Sequence, residues 1–196
     1  MNIALTGGIG CGKTSALKIF DRLGCLTSSA DAINEEILNR RETVLFVKNN
    51  FGPQYLNNGK IDKQELARLI FSVPEKRKIL ENFLHPQIAS EEKKVMEDAE
   101  RQNRPCVCEI PLLFEKNLES QFDLTLCLAA SEQVQIERLK NRGLQSSRAR
   151  ERIAAQLPVE EKMKRADIVI FNDGNLEFLE QQIKSVLPKF FEDQHN

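Results

Sequence analysis

One short segment near the start of the chain constrains the fold more than any other. Residues 7–14 read Gly-Gly-Ile-Gly-Cys-Gly-Lys-Thr and satisfy the pattern G-x-x-x-x-G-K-[S/T] at every position. The apolar run 2–6 precedes this segment, and apolar residues recur at helical spacing from Lys13 to Leu23. A buried strand, a glycine-rich turn and a helix in this order predict a phosphate-binding loop (P-loop) rather than a chance turn.

The residue types in this loop suit a nucleoside triphosphate. Glycines let successive backbone N–H groups converge on phosphate oxygens without interference from a Cβ atom. Lys13 supplies positive charge to the β- and γ-phosphates, and the Thr14 hydroxyl can complete the coordination of Mg²⁺. We therefore expect ATP and Mg²⁺ as cofactors, with Thr14 as the metal ligand. The residues expected to bind ATP in this loop are Gly7, Gly8, Ile9, Gly10, Cys11, Gly12, Lys13, Thr14 and Ser15.

Short apolar runs recur along the rest of the chain, with helical patterns between them. The runs cover residues 25–29, 105–110, 123–128 and 168–171. Such runs separated by helices are typical of a parallel sheet covered on both faces. The stretch from 31 to about 100 is long for one crossover, and turn signals interrupt it, so much of it is interpreted as an inserted helical region. A last helix is expected over 176–187, and the polar tail after Phe191 is expected to fray.

Composition excludes several classes of partner. The 196 residues carry 28 Lys and Arg against 29 Asp and Glu, so the chain lacks the global positive charge of a nucleic-acid-binding protein. No apolar run approaches the roughly 18 residues that cross a bilayer. We expect neither a nucleic-acid nor a membrane partner. The five cysteines include no C-x-x-C pair, and Cys106, Cys108 and Cys127 lie in apolar runs, which favours buried, reduced thiols and a cytoplasmic location.

Several blocks of the chain resemble, in order, those of the dephospho-CoA kinase family. Residues 5–14 resemble its LTGGIGSGK[S/T], with Cys11 in place of the usual Ser, and Ala30-Asp31 resembles the second half of its D-A-D. The other matches are 51–62 to FG…DG.ID, 84–88 to HP.I, 110–115 to PLLFE and 166–174 to ADxVIxNxG. The resemblance spans nearly the whole chain.

The resemblance implies a fold, an activity and a division of the chain. The implied fold class is α/β, a three-layer P-loop kinase fold with a parallel sheet, a helical acceptor-binding insertion and a helical lid. The implied reaction is ATP-dependent phosphorylation of the ribose 3′-hydroxyl of dephospho-coenzyme A, the last step of coenzyme A synthesis. Within a single domain over 1–196, the nucleotide-binding core is expected at 1–31, 101–137 and 166–196, the acceptor-binding region at 32–100 and the lid at 138–165.

Asp31 is the candidate catalytic base. It follows the predicted second strand, so it is expected at the carboxyl edge of the sheet, where a carboxylate can take a proton from the substrate hydroxyl. The alternative is that Asp31 caps the helix that begins at Ala32. The family usually has an acid at the position of Ser29, so this chain retains one carboxylate of the pair, and the effect of Ser29 on turnover is left open.

A basic segment follows the predicted strand at 123–128. Lys and Arg outnumber acids between Glu137 and Arg165, and Arg138 and Arg142 are four apart on a predicted helix, which puts them on one face. On a mobile lid these two arginines would offset charge on the transferring phosphoryl group together with Lys13. The alternative is a solvated basic helix.

The remaining candidates have weaker signals. The resemblance implies that the acceptor is contacted by His85, Pro86, Leu112, Leu113 and Glu115, with Pro86 expected to fix a turn. Asn172 follows the last strand and can meet the adenine of ATP, although an Asn-Asp-Gly turn needs no ligand. Glu109 ends a buried strand, where a carboxylate can order water on Mg²⁺. The phenylalanines of the insertion, Phe46, Phe51, Phe71 and Phe83, are expected in its core or along the acceptor.

Two other functions remain open at this point. The chain has no N-K-x-D segment, so it lacks the guanine-reading signature of GTPases. Another small P-loop kinase acting on a nucleotide or metabolite would share the loop and the lid. The serine at position 29, where the family usually has an acid, would be compatible with a nucleotide-binding protein without catalytic activity. The sequence makes no prediction of oligomeric state.

Overall fold

Short β-strands coincide with the apolar runs of the sequence. In this computed structural model, which describes residues 1–192, the strands are β1 (Asn2–Gly7), β2 (Leu26–Ser29), β3 (Leu56–Asn57), β4 (Lys60–Ile61), β5 (Cys106–Glu109), β6 (Leu124–Ala129) and β7 (Ile168–Phe171). The main sheet has the order β2-β5-β1-β6-β7. β1 pairs in parallel with β5 and with β6, and β6 pairs in parallel with β7. The carboxyl end of β1 therefore lies where the connections diverge to either side, the position at which open α/β sheets bind ligands.

Helices occupy most of the remaining chain. They are α1 (Lys13–Arg22), α2 (Ala30–Leu38), α3 (Arg41–Phe51), α4 (Lys63–Ser72), α5 (Pro74–Arg101), α6 (Glu132–Asn141), α7 (Ser146–Ala154), α8 (Val159–Arg165), α9 (Leu176–Val186) and α10 (Lys189–Glu192). In the described chain, no helix combines the length and apolar character that a bilayer-spanning segment needs. The fraying predicted after Phe191 falls largely on residues outside the described range. The structure divides into two units, Met1–Ser28 with the chain from Val95 onwards, and Ser29–Lys94.

The first unit has apolar layers on both faces of the sheet. Successive residues of a strand point to opposite faces, and β1 illustrates this alternation. Ile3 and Leu5 pack in a cluster that includes apolar residues of α1 and α9, whereas Ala4 packs with Leu113 and Phe114 on the other face. This arrangement confirms the predicted three-layer α/β architecture.

The second unit is helical, as predicted, and has a core of its own. The rings of Phe46 and Phe83 stack with centroids 3.8 Å apart, and Phe46 meets Phe51 edge to face. The Asn58-Gly59 turn joins β3 and β4, with positive φ at both residues, which is the geometry that this dipeptide favours in a two-residue hairpin. The expectation that Phe71 is buried is wrong, because its side chain is 81% exposed near the end of α4.

The predicted turn at Pro86 is also wrong, because Pro86 lies inside the long helix α5. A proline in a helix interior removes one hydrogen bond and costs about 3 kcal/mol. The helix continues because Leu80, Leu84 and Ile88 form an apolar stripe at helical spacing that packs into the core of the second unit. One residue beyond the proline, the Gln87 side chain donates to the Phe83 carbonyl at 3.0 Å.

Candidate active site

The P-loop adopts a backbone conformation that depends on its glycines. Gly7, Gly10 and Gly12 have φ values of 142°, 82° and 93°, a region that other residues rarely enter. A Cβ atom on Gly7 would lie 2.1 Å from the Leu128 carbonyl oxygen, and one on Gly12 would lie 2.3 Å from Asn172 Nδ2. The loop is therefore packed closely against neighbouring elements, and the conformation predicted from the pattern is present.

Side chains hold the carbonyl groups of this loop. Lys13 Nζ donates to the Gly7 oxygen at 3.0 Å and to the Gly8 oxygen at 3.1 Å. Asn172 Nδ2 donates to the Cys11 oxygen at 2.8 Å, and an Arg138 guanidinium nitrogen lies 3.3 Å from the Gly10 oxygen. Lys13, Asn172 and Arg138 thus all contact backbone oxygens of the loop. Asn172 acts here as a positioning group, a role that the turn pattern alone did not indicate.

Cys11 occupies the loop position at which the family usually has Ser. Its side chain is buried, and burial raises the pKa of the thiol, while the positive charge of Lys13 partly opposes that rise. A neutral thiol is a small, weakly polar group of about the size of the usual hydroxymethyl group. The substitution therefore leaves the backbone of the cradle intact without adding a charge.

Two oxygen donors near the loop, Thr14 and Glu109, are the candidates for holding Mg²⁺. Thr14 is exposed at the first turn of α1, and Glu109 is buried at the last residue of β5, the strand next to β1. Within residues 1–192, no cluster of three His, Cys, Asp or Glu side chains has metal-ligand geometry. This donor set fits Mg²⁺, which keeps several waters and is bound by few protein oxygens together with substrate phosphates.

The predicted lid contains three helices, and its two candidate arginines differ. Arg138 lies within α6 and is partly buried, whereas Arg142 is the exposed C-cap residue that follows Asn141, the last residue of α6. The chain leaves the helix at Gly143, with φ 87°. A common face of the two arginines stays a prediction.

The last helix of the predicted lid is fixed to the core of the first unit. Lys162 of α8 is fully buried, and its Nζ lies 2.8 Å from Glu115 Oε1 and 2.9 Å from the Pro111 oxygen. Arg165 donates to the Phe114 oxygen and lies over the Phe114 ring. These contacts attach α8 to the segment that contains Pro111, Phe114 and Glu115.

The PLLFE segment contributes to this attachment. Glu115 Oε1 also accepts from the Leu157 N–H at 3.1 Å. Burial raises the pKa of Glu115, but hydrogen bonds from Lys162 and from backbone groups outweigh it, so the pKa lies below its ordinary value. Leu113 is fully buried, whereas Leu112 is 39% exposed. Acceptor contact by Leu112 is compatible with this exposure; for Leu113 and Glu115 the observed contacts are internal to the fold.

Asp31 and His85 line a cavity in the second unit, with a volume of about 370 Å³. Most of its lining residues are apolar, and Asn34, three residues after Asp31 in α2, also lines it. The alternative that Asp31 caps the helix is wrong, because Ser29 is the N-cap and Asp31 is the second residue of α2. Asp31 is exposed, so its carboxylate is accessible to a hydroxyl donor. Pro86 is exposed on α5 and is not among the lining residues.

Two residues near the P-loop were missed by sequence reasoning. Gln156 accepts a hydrogen bond from the Ile9 N–H at 2.9 Å, and Gln135 is buried with its side chain close to Gly8. Neither belongs to a motif, and both are polar residues in segments with helical or loop patterns. Only the fold brings them to the loop.

Comparison with known proteins agrees with this geometry. The sequence model of the dephospho-CoA kinase family matches residues 1–177. A dephospho-CoA kinase of Enterococcus faecalis is 36% identical over 188 residues, covering 94% of each chain. The solved dephospho-CoA kinase of Campylobacter jejuni superimposes with a TM-score of 0.74 at 29% identity, covering 97% of each chain. A shikimate kinase of Bacteroides thetaiotaomicron, at 16% identity and a TM-score of 0.52, shares the fold.

The match extends across both units rather than stopping at the P-loop. A general P-loop kinase would share the loop, but the family match also covers the whole of the second unit, Ser29–Lys94. On this basis, the chain belongs to the dephospho-CoA kinase family.

Proposed function

We propose that this chain transfers the γ-phosphoryl group of ATP to the ribose 3′-hydroxyl of dephospho-CoA, giving CoA and ADP. The observation that carries the proposal is the assembled P-loop, with Lys13 Nζ 3.0 Å from the Gly7 oxygen, in a chain that matches dephospho-CoA kinases over residues 1–177. Phosphoryl transfer needs a phosphate cradle, cations around the moving charge and a group that receives the hydroxyl proton. The chain offers a candidate for each.

In the first unit, the loop from Gly7 to Ser15 binds the triphosphate. Lys13 and Arg138 offset the charge that accumulates on the transferring phosphoryl group, and Arg142 is proposed as a second lid arginine with the same role. The Asn172 carboxamide is proposed to contact adenine in addition to donating to the Cys11 oxygen. When bound, Mg²⁺ would neutralise phosphate charge, with Thr14 as a ligand and Glu109 ordering a metal-bound water.

In the second unit, the cavity beside Asp31 receives the acceptor. Asp31 accepts a hydrogen bond from the 3′-hydroxyl and takes its proton as transfer proceeds. His85 lines the same cavity, and Pro86 shapes the α5 wall beside it. Leu112 contacts the acceptor, and Leu113 and Glu115 support that contact by fixing the segment that carries it.

We also propose a cytoplasmic location. All five cysteines lie within the described chain as buried free thiols, as a reducing compartment would maintain them. Neither nucleic acid nor a membrane has a part in the proposed reaction.

A coupled assay of ADP release tests the function. Release is measured with dephospho-CoA, with no acceptor, and with shikimate or adenosine as a competing acceptor. We expect ADP release that depends on dephospho-CoA. ADP release only with another acceptor would identify a different kinase. If no ADP is released under any of these conditions, a nucleotide-binding protein without catalytic activity would be favoured.

Variants assign the roles of the charged residues. Asp31→Asn is expected to lower kcat by roughly 10²- to 10⁴-fold, the usual contribution of a positioned proton acceptor, with unchanged ATP binding. Glu42→Gln, an exposed carboxylate elsewhere in the second unit, is the matched control and is expected to retain full activity. Equal activity of Asp31→Asn and Glu42→Gln would refute the role of Asp31.

A further inference from the structure

A glutamine between two lid helices contacts the P-loop directly. Gln156 lies after the end of α7 and before α8, and its Oε1 accepts a hydrogen bond from the Ile9 N–H at 2.9 Å. This contact joins residues 147 positions apart, and both partners are partly buried. The next residue, Leu157, donates its N–H to Glu115 at 3.1 Å. Gln156 is therefore held between the P-loop and the fixed base of the lid.

The contacted N–H lies at the γ-phosphate end of the loop. A P-loop lysine reaches the β- and γ-phosphates of its nucleotide. Here Lys13 folds back so that its Nζ lies 3.0 Å from the Gly7 oxygen and 3.1 Å from the Gly8 oxygen. The first residues of the loop, with Ile9 directly after Gly8, are therefore on the side of the transferring group rather than on the side of the adenosine.

The same region opens into a cavity in the first unit. The cavity has a volume of about 530 Å³ and brings Gly8 of the loop together with Gln156 and with Arg150 of α7. Arg150 Nε lies 3.9 Å from Glu132 Oε1, and both side chains are about two-thirds exposed. An exposed pair at that distance contributes little, so it does not restrain Arg150. The position of α7 therefore determines where the Arg150 guanidinium lies.

We propose that Gln156 is a positioning residue that couples α7 to the γ-phosphate end of the P-loop. By holding the Ile9 N–H, it keeps the carboxyl end of α7 against the loop, so that Arg150 faces the cavity next to Gly8. α8, which begins at Val159, is anchored through Lys162, and Gln156 lies in the segment between α7 and α8, so its hydrogen bond attaches the carboxyl end of α7 to the P-loop next to this anchor. This inference rests on the proposed kinase function.

A kinetic comparison separates positioning from general support of the fold. In Gln156→Ala, kcat is expected to fall about fivefold, the effect of one neutral hydrogen bond, with KM for ATP changed by less than about twofold. Because Gln156 acts through α7, Arg150→Ala in the Gln156→Ala background is expected to cause little further loss. Gln181→Ala, an exposed glutamine of α9, is the matched control. Additive effects of the two substitutions, or a rise in KM that matches the fall in kcat, would overturn the proposal.

Hydrogen exchange of the nucleotide-free protein provides a readout that needs no activity. In Gln156→Ala, faster exchange is expected in peptides that contain Ile9 and in peptides of α7, with unchanged exchange in the central strands. Gln156→Glu retains an acceptor oxygen at the same reach, so it is expected to restore protection at Ile9. It also adds negative charge, so it is expected to weaken binding of ATP more than of ADP. Unchanged exchange in Gln156→Ala would refute the coupling, whereas absence of acceptor-dependent ADP release by the wild type would refute the proposed function alone.

Discussion

The buried ion pair between Lys162 and Glu115 should respond asymmetrically to removal of its two partners. Lys162 has no exposed surface, whereas the Glu115 side chain is 21% exposed, and their charged atoms lie 2.8 Å apart. Replacing Glu115 with Gln leaves an ammonium group buried without a counter-charge. Replacing Lys162 with Met removes the buried charge and leaves a carboxylate that water can reach.

The burial of the two partners sets the expected difference in the free energy of unfolding between the two single variants. Breaking a buried ion pair by removing one partner costs about 3–5 kcal/mol, and partial access of water to Glu115 brings the expected cost of Glu115→Gln to about 2 kcal/mol. For Lys162→Met we expect about 1 kcal/mol, because the Pro111 oxygen loses its donor. In the double variant the buried charge is gone, so it is expected to be more stable than Glu115→Gln.

Urea unfolding of the four proteins at pH 7 measures these differences. The pKa of Glu115 is lowered from 4.5 in the folded protein, so its stabilising effect is present above that value and is lost as the pH falls through the lower folded value. The difference between the wild type and Glu115→Gln is therefore expected to shrink below about pH 4. Equal, additive costs for the two single substitutions, unchanged at low pH, would refute the reasoning.

Three further predictions concern the P-loop, position 29 and the thiols. Gly12→Ala is expected to abolish ATP binding in a titration, because the loop at φ 93° places the added methyl 2.3 Å from Asn172 Nδ2; wild-type affinity would contradict this. Ser29→Asp is expected to retain dephospho-CoA-dependent ADP release, because Asp31 supplies the proton acceptor; complete loss would count against that role. Burial raises the pKa of Cys25 to about 11 and that of Cys127 to about 12, so alkylation of the native protein at pH 8 is expected to be slow and to become fast in urea; rapid native labelling of either would refute it.

Sequence patterns predicted the strands that appear as continuous apolar runs. The strands β1, β5 and β6 are largely buried, and the edge strand β7 is an unbroken apolar run, so continuous apolar runs identify all four to within a residue or two of their ends. The P-loop was predictable because its residue types follow from local backbone geometry. Asp31 was predictable as a site candidate only with the family resemblance, because the sequence pattern alone also allowed a capping role, which the position of Asp31 inside α2 contradicts.

Errors arose where tertiary packing overrides local preference. Pro86 predicts a turn, but the apolar stripe of α5 stabilises a continuous helix through it. Phe71 is apolar but lies on the exposed side of α4. Gln156 was not predicted, because a hydrogen bond between residues 147 positions apart leaves no pattern in the local sequence.

The contacts of the P-loop have a consequence for folding of the chain. Its pattern is complete within the first 15 residues, but Arg138, Gln156 and Asn172 hold its backbone from 128, 147 and 161 residues further along. The strand that leads into the loop, β1, pairs with β5 and β6, which both come later in the chain. A chain that lacks β7 and Asn172 therefore carries the P-loop pattern without all of the contacts that hold its backbone. Because a ligand stabilises the folded state that binds it, ATP is expected to stabilise the chain only once these distant segments have folded onto the loop.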